Sequence, residues 1–589
     1  MKFLIVFATL FLINSVNSSS FQKEEGNDVS NSIEIDINSR LSALLGKIKN
    51  ISEHQGVSSS VCARCSVVIN DLIQFRRSGA NRTSIVEYLT DLCISIIGYL
   101  PSVCKTFSEI ETDVIIYIID NKNIKPEEVC GVYYQYSGCI NPSAKKWVID
   151  IPPHKAEFEV KVDQSSKNPL NFVQITDVHY DPLYKAGSNA KCDLPLCCEE
   201  RNGIPVDPLN AAGTYGDYRV CDMSKNSLVD LLSEIRKSQK KIDYVYFTGD
   251  IIAHKNWETS RKSNLETIEE FYALLYQYFG NITVYPILGN HEAHPCNLYA
   301  PLNLQSADKV NTQWLFDAVA NYWAKWLPQS ALDTIKLGGY YTVLVKPGFR
   351  IVALNSNVCF TENFWLFYDD EDPYGQLKWL VRVLLEAEKN NEKVHLLSHV
   401  PPGEIRCHRQ WQYNFNKIVQ RFANTISAHF NGHTHVDEFR IYKNESNPNQ
   451  VINVAYNGGS FTTFVGLNPD YRVYEVNPQN MMVSDYHQYT FNLSLANSAG
   501  SRGPDWYKLY SFKTAYGLKD LNYQSLSDLH ERLQTDSQLA HQYVQFHIRE
   551  SDFAFEKGCN ATCVASQICH ISAIDADESI RCGEYSLFS

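Results

Sequence analysis

Five short polar motifs, each closing an apolar run, constrain this 589-residue chain more than any other feature of it. Phe172-Val173-Gln174-Ile175 leads into Asp177-Val178-His179, and Tyr244-Val245-Tyr246-Phe247 into Gly249-Asp250. Val284-Tyr285-Pro286-Ile287-Leu288 leads into Gly289-Asn290-His291-Glu292. Val394-His395-Leu396-Leu397 leads into Ser398-His399, and Ile426-Ser427-Ala428-His429-Phe430 into Gly432-His433-Thr434-His435. Short apolar runs bounded by glycine and polar residues read as buried strands. In an open α/β sheet, ligands collect beyond the carboxyl ends of the strands. The chain therefore reads as α/β, with five strand ends delivering Asp, His, Asp, Asn, His, His and His to one rim.

Oxygen and imidazole donors in this mixture suit borderline cations such as zinc. The set is too large for one tetrahedral ion and fits two ions that share a carboxylate, with Asp250 as the bridge. Two ions roughly 3.5–4 Å apart can clamp the oxygens of a phosphoryl group for in-line attack. Gly249, Gly289 and Gly432 are expected to let the chain turn sharply and pass close to the ions. His395 and His429 lie inside apolar runs and read as hydrogen-bonded core residues; His487 and His547 carry no site reading either.

The motifs resemble those of the calcineurin-like metallophosphoesterase superfamily and, within it, of the acid sphingomyelinases. The narrower resemblance rests on Thr176-Asp177-Val178-His179-Tyr180-Asp181, Thr248-Gly249-Asp250-Ile251-Ile252-Ala253-His254 and Gly289-Asn290-His291-Glu292. Ser398-His399-Val400-Pro401-Pro402-Gly403 and Gly432-His433-Thr434-His435-Val436-Asp437-Glu438-Phe439 add to it. So do Cys197-Cys198, Tyr215-Gly216-Asp217-Tyr218 with Cys221-Asp222, and Tyr471-Arg472-Val473-Tyr474. It extends from about residue 58 to the C-terminus.

The resemblance implies a central β-sandwich metallophosphoesterase domain flanked by helices. An N-terminal, disulfide-stapled all-α saposin domain and a small helical C-terminal domain would accompany it. It assigns Asp177, His179, Asp250 and His435 to one zinc ion, and Asp250, Asn290, His399 and His433 to the other. His291 and His254 would lie beside the phosphate, and His291 is preferred as the acid that protonates the leaving alkoxide. An acidic medium keeps such a histidine charged. For His254, orienting a metal ligand is an equal alternative. The implied reaction is hydrolysis of sphingomyelin to ceramide and phosphocholine, at acidic pH, by in-line attack of a hydroxide held between two zinc ions.

Residues 1–18 read as a signal peptide, with Lys2 as the basic region and Phe3 to Ile13 as the apolar core. That core is shorter than the roughly 20 residues of a membrane span. A secretory route permits disulfides. Cys62, Cys65, Cys93, Cys104, Cys130 and Cys139 cluster early, and their spacing leaves the pairing open; the initial Cys-x-x-Cys also fits a zinc or redox motif. Helical spacing of apolar residues recurs over 67–75, 84–100 and 103–119, as at Ile85, Leu89, Ile94 and Ile97. Cysteine-stapled amphipathic helices resemble a saposin domain, here over 58–142, and that resemblance pairs Cys62–Cys139, Cys65–Cys130 and Cys93–Cys104. Such helices would contact anionic membranes and lift a lipid out of them. The plainer alternative is a structural cap.

A linker is expected over 143–168, from Pro152-Pro153 and the polar stretch 163–169, and the catalytic domain over 169–463. Within it Cys192–Cys197, Cys198–Cys221 and Cys359–Cys407 fit local staples. Residues 464–589 read as the C-terminal domain, with helices over 525–534 and 539–549 and the pairs Cys559–Cys563 and Cys569–Cys582. Cys296 is the one left over from 17 cysteines and is read as inert. Sequons at Asn50, Asn81, Asn281, Asn444, Asn492 and Asn560 agree with a secreted or lysosomal glycoprotein. A formal charge of −13 with no basic stripe excludes nucleic acid as the partner. The expected partner is sphingomyelin in membranes or lipoproteins, and a monomer suffices. Two rivals stand beside this reading: a secreted nucleotide phosphodiesterase of the same superfamily, and a non-catalytic lipid-binding protein.

Overall fold

The computed structural model describes residues 30–54, 57–144, 146–153, 168–304, 309–464, 466–498 and 502–583. The expected signal peptide, the linker from 154 to 167 and the side chain of Asn50 lie outside the described residues.

All five motif-bearing runs are strands: β1 (Leu170–Ile175), β2 (Tyr244–Phe247), β3 (Thr283–Pro286), β6 (Lys393–Leu397) and β7 (Ile426–Asn431). They belong to two six-stranded sheets. β4 (Tyr341–Lys346), β5 (Phe349–Ala353), β8 (Glu438–Asn444) and β9 (Asn447–Asn457) complete the sheet ordered β4-β5-β6-β7-β9-β8. β10 (Asp470–Val476), β11 (Val483–Thr490) and β12 (Tyr507–Ser511) complete the other, β12-β11-β10-β1-β2-β3. β1, β2 and β3 run parallel, as do β5, β6, β7 and β9, so the motif-bearing ends leave the same edge of each sheet. The sheets face each other through aromatic residues. Phe172 on β1 stacks on Phe349 on β5 with ring centres 6.2 Å apart, and Tyr246 on β2 meets Phe430 on β7 at 5.1 Å. His395 is a core residue as expected: Tyr246 Oη lies 2.9 Å from its Nδ1, and its Nε2 is 2.6 Å from the carbonyl oxygen of Met481.

The chain beyond 463 does not leave the sandwich, as the expected domain boundary supposed. β10 pairs antiparallel with β1, from Leu170 opposite Val476 to Gln174 opposite Arg472, and β11 and β12 continue that sheet to its edge. This pairing joins segments about 300 residues apart, a separation that local patterns do not reveal. The helical C-terminal unit follows, with helices Tyr523–Thr535, Ser537–His547, Ala561–His570 and Ala576–Cys582.

At the N-terminal side, α1 (Ser30–His54) precedes the expected helical module, which comprises α2 (Val57–Arg77), α3 (Arg82–Ile97), α4 (Pro101–Asn121) and α5 (Pro126–Tyr133). Ile37, Leu41, Leu44 and Ile48 bury α1 in the same apolar cluster as α2, α3 and α4. Asn81 caps α3 by accepting from Ser84 N, and Gly98 ends it in a left-handed conformation. The disulfides Cys62–Cys139, Cys65–Cys130 and Cys93–Cys104 close the module. Cys192–Cys197, Cys198–Cys221, Cys359–Cys407, Cys559–Cys563 and Cys569–Cys582 are also formed, and Cys296 is free and buried.

The module sits on the corner tied by Cys359–Cys407. Gln135 Nε2 donates to the carbonyls of Ile405 (3.0 Å) and Cys407 (2.7 Å), and Tyr117 packs edge-on against Trp365 at 5.7 Å. The first part of the linker is docked as well: Trp147 and Ile149 are buried, and Ile149 N donates to Asn414 Oδ1 at 2.7 Å. No helix among the described residues is long and apolar enough to cross a membrane.

Candidate active site

The strand ends bring all seven candidate metal ligands to one buried floor. Asp177, His179, Asp250 and His435 form one cluster, and Asp250, His399 and His433 another; within each, the donor atoms lie within 4.8 Å of one another. Asp250 is common to both. Asn290 joins the second cluster, its Oδ1 3.0 Å from both His399 Nε2 and His433 Nδ1. In the first, His435 Nε2 is 3.3 Å from Asp177 Oδ1, and His179 Nε2 is 3.5 Å from Asp250 Oδ2.

The backbone holds this geometry under strain. Five of the seven residues have positive φ: Asp177 (48°), His179 (42°), Asp250 (62°), His433 (77°) and His435 (62°). Each such residue costs about 1–3 kcal/mol, and such strain gathers at functional sites. Hydrogen bonds enforce it. Asp177 N donates to Gly249 O (2.9 Å), His433 N to Asp177 Oδ1 (3.0 Å) and His291 N to Asp250 Oδ1 (2.9 Å). Of the three glycines, Gly249 alone turns in the left-handed region, at φ +95°, and a Cβ there would meet Gly289 N at 2.5 Å. Gly289 and Gly432 are required for close approach: a Cβ on the first would stand 2.1 Å from Asp250 Oδ1, and on the second 2.5 Å from Asp177 Oδ2.

Carbonyls orient the imidazoles. His179 Nδ1 lies 2.8 Å from Ile252 O and His399 Nδ1 2.7 Å from Thr248 O, which leaves each Nε2 facing the floor. Burial pulls His179, His254 and His433 well below the usual imidazole range; it also pulls His291 down, where Asp250 and Asp222 oppose it by favouring the charged ring. Burial also pulls on His399, but Asp250 and Asp177 outweigh it and raise this ring to about 9. Burial pushes Asp250 up, yet His399, His291 and His179 outweigh it and hold the carboxyl well below its usual range. Asp177 pairs with His435, and Asp250 with His179 and His399. Two carboxylates, an amide oxygen and four imidazoles converging here are the donor set of a dimetal centre, and they fit it.

His254 and His291 stand beside the floor. Their ring centres are 4.7 Å apart, and His254 lies 3.9 Å from His179. Both line a cleft of about 340 Å³ that opens above the ligands, walled by Phe360, Phe464, Glu362 and Arg406. His291 Nδ1 is buried without a hydrogen-bond partner.

Three residues support the site that no site reading of the sequence included. Asp222 Oδ1 lies 2.9 Å from His254 Nδ1, and Asp222 Oδ2 accepts from His254 N at 2.6 Å. Phe464 stacks flat on the His254 ring at 4.0 Å. Glu292 ties the β2 and β3 ends together, accepting from Ile251 N and, at 2.7 Å, from Gly289 N. Asp222 and Glu292 lie inside matched motifs, which was their one signal; Phe464 had none.

Cys296 lies next to this floor, its Sγ 3.9 Å from Asn290 O, and burial raises its thiol well above the usual range. His429 is a core residue, bonded to Ser398 Oγ at 2.7 Å. Asn81, Asn281, Asn444, Asn492 and Asn560 are all exposed or half-exposed.

A family model described as calcineurin-like phosphoesterase matches residues 170–437, and one described as the acid sphingomyelin phosphodiesterase C-terminal region matches residues 451–586. A sphingomyelin phosphodiesterase of Bos taurus is 32% identical over 90% of this chain and 85% of its own. Sphingomyelin phosphodiesterase 1 of Caenorhabditis elegans is 30% identical over 89% of this chain and 93% of its own. A cyclic GMP-AMP phosphodiesterase of Rattus norvegicus is 29% identical over 69% of this chain and 89% of its own. Likeness of that extent at both the metal floor and the C-terminal region places the chain in the acid sphingomyelin phosphodiesterase family, as a metal-dependent phosphoesterase.

Proposed function

We propose that this protein hydrolyses sphingomyelin to ceramide and phosphocholine at acidic pH, with zinc as its metal. The observation that carries the reading is the pair of donor clusters sharing Asp250 beneath a cleft that also holds His254 and His291. Asp177, His179, Asp250 and His435 would hold one ion, and Asp250, Asn290, His399 and His433 the other. Bound there, the ions would polarise the phosphoryl oxygens and supply an activated water.

The remaining chemistry belongs to the chain. The alkoxide of ceramide is a poor leaving group and needs a proton. His291 is the donor in this reading; its backbone is held to Asp250 and its Nδ1 has no other partner. His254 is fixed by Asp222 on one side and Phe464 on the other, which suits a ring that positions the substrate phosphate. The saposin-like module, seated beside the cleft, would bring the protein to anionic membranes. The signal peptide and sequons support a secreted or lysosomal home, and the mechanism needs only a monomer.

The test is phosphocholine release from sphingomyelin vesicles containing an anionic lipid, at about pH 5. Release that is lost with a chelator and in His399→Ala supports the site and the substrate. His291→Ala should lose sphingomyelin hydrolysis yet keep bis(p-nitrophenyl) phosphate hydrolysis, whose leaving group needs no proton; loss of both removes the acid role. The likeness to a cyclic GMP-AMP phosphodiesterase favours one other reading. No phosphocholine release from metal-replete protein that cleaves nucleotide phosphodiesters would establish it.

A further inference from the structure

The three most exposed large apolar side chains among the described residues share one short loop: Ile204 is 91% exposed, Val206 104% and Leu209 85%. Leu183, at 54%, lies on the same segment. A soluble protein rarely displays such a group without a partner for it.

The loop is braced rather than collapsed. Cys192–Cys197 and Cys198–Cys221 staple its base. Asn189 N donates to Gly203 O and Ala190 N to Asn210 O, both at 2.8 Å. Asp207 Oδ1 accepts from Leu209 N at 3.0 Å, and the Arg219 guanidinium, held by Asp217, donates to Leu209 O at 3.2 Å. Pro205 and Pro208 stiffen the tip further. The result is a fixed tip from which Ile204, Val206 and Leu209 are held exposed.

Its position gives the loop a use. Leu194, Leu196 and Val220 at its base share one apolar cluster with Cys93, Val103, Cys104 and Phe107 of α3 and α4. Phe464, the ring stacked on His254, belongs to the same cluster. The turn between α3 and α4 exposes Leu100. Helical hairpin, cleft wall and loop are therefore contiguous. The exposed charges of the loop are of both signs, Lys185, Lys191 and Arg201 beside Asp193, Glu200 and Asp207, so its apolar tip is what distinguishes it. The sequon Asn81 caps the opposite, N-terminal end of α3.

We infer that this loop is a membrane anchor on the catalytic domain itself: Ile204, Val206 and Leu209 insert into the headgroup–acyl boundary of the substrate bilayer beside the cleft. Interfacial binding strengthens with buried apolar area, which these three side chains supply. The inference rests on the reading that the substrate is a bilayer lipid.

The test uses the full chain and Ile204→Ser/Val206→Ser/Leu209→Ser. Three readouts are taken: co-sedimentation with vesicles of sphingomyelin, phosphatidylcholine and phosphatidylglycerol, phosphocholine release from them, and hydrolysis of soluble bis(p-nitrophenyl) phosphate. Vesicle affinity and phosphocholine release should fall together by about tenfold or more, with soluble hydrolysis unchanged. The matching triple phenylalanine variant should bind vesicles at least as well as the parent. Vesicle affinity of the serine variant within about twofold of the parent overturns the anchor. If the serine variant loses vesicle affinity while the parent releases no phosphocholine, the anchor stands and the sphingomyelin reading falls.

Discussion

A methyl group on Gly289 would stand 2.1 Å from Asp250 Oδ1 and 2.4 Å from Asp250 N. Neither atom can retreat, because Asp250 Oδ1 accepts from His291 N and the carboxylate is shared by both donor clusters. Gly289→Ala should therefore displace the one residue common to both ions. A misplacement of about 1 Å costs on the order of 10²-fold in rate. The expected outcome is at least that loss, together with metal content below that of the parent protein measured on the same preparation. Full activity in Gly289→Ala would show that the Asp250 loop is softer than its hydrogen bonds indicate. The strained φ values of five ligands argue the same point from the backbone, since such conformations survive only where neighbours enforce them.

At the scale of elements, the last strand-end motif depends on chain far beyond it. His435 is held through its carbonyl, which accepts from Arg549 Nη1 at 2.7 Å; Arg549 follows the helix Ser537–His547. The same guanidinium pairs with Asp470 on β10 at 2.9 Å and donates to Asn468 O at 2.7 Å. Two residues on from His435, Asp437 is held by Arg472 of β10 and by Tyr510 of β12, whose hydroxyl donates to it at 2.5 Å. The C-terminal region is thus a brace for the ligand loop. Breaking a buried ion pair by removing one partner costs about 3–5 kcal/mol. Arg549→Met should lower thermal stability by that order and reduce metal content, because His435 loses its tie. Metal content equal to the parent's would confine Arg549 to a packing role.

Across the whole molecule, buried titratable groups set opposing responses to acid. Burial lowers His395 to about 4 even though Met481 O favours its charged form. The unfolded chain binds that proton more readily, so this contribution is complete above about pH 6.5 and is lost as pH falls toward 4, by about 3 kcal/mol in all. His395→Gln should flatten the acid side of the melting-temperature profile over that window. Glu111 of α4 acts with the opposite sign. Burial, and then Glu362 across the seam between the helical module and the sandwich, raise its carboxyl well above the usual range. Its contribution is complete at low pH, below the unfolded value, and is lost as pH rises through the raised one. Glu111→Gln should raise the melting temperature at about pH 7.5 and leave it little changed at about pH 4.5. Equal shifts at both pH values would mean that Glu111 is not the titrating group at that seam.

The sequence by itself determined the five core strands and the donor atoms at their ends, while the pairing of the six early cysteines came from the family resemblance alone. Those strand features are local: an apolar run of a few residues and the short polar motif that follows it. β1, β2, β3, β6 and β7 fall on the runs expected to be strands, and the helices Tyr523–Thr535 and Ser537–His547 on the segments with helical periodicity. Only the tertiary structure decided where the catalytic unit ends, because β10 joins β1 through backbone bonds between distant segments. It likewise decided that Asp222 and Phe464 flank His254, that Arg549 braces His435, and that the helical module sits on the Cys359–Cys407 corner. These are pairings between residues far apart in the chain, each satisfying a buried polar group or ring in a place that exists only once both sheets have closed over their shared core.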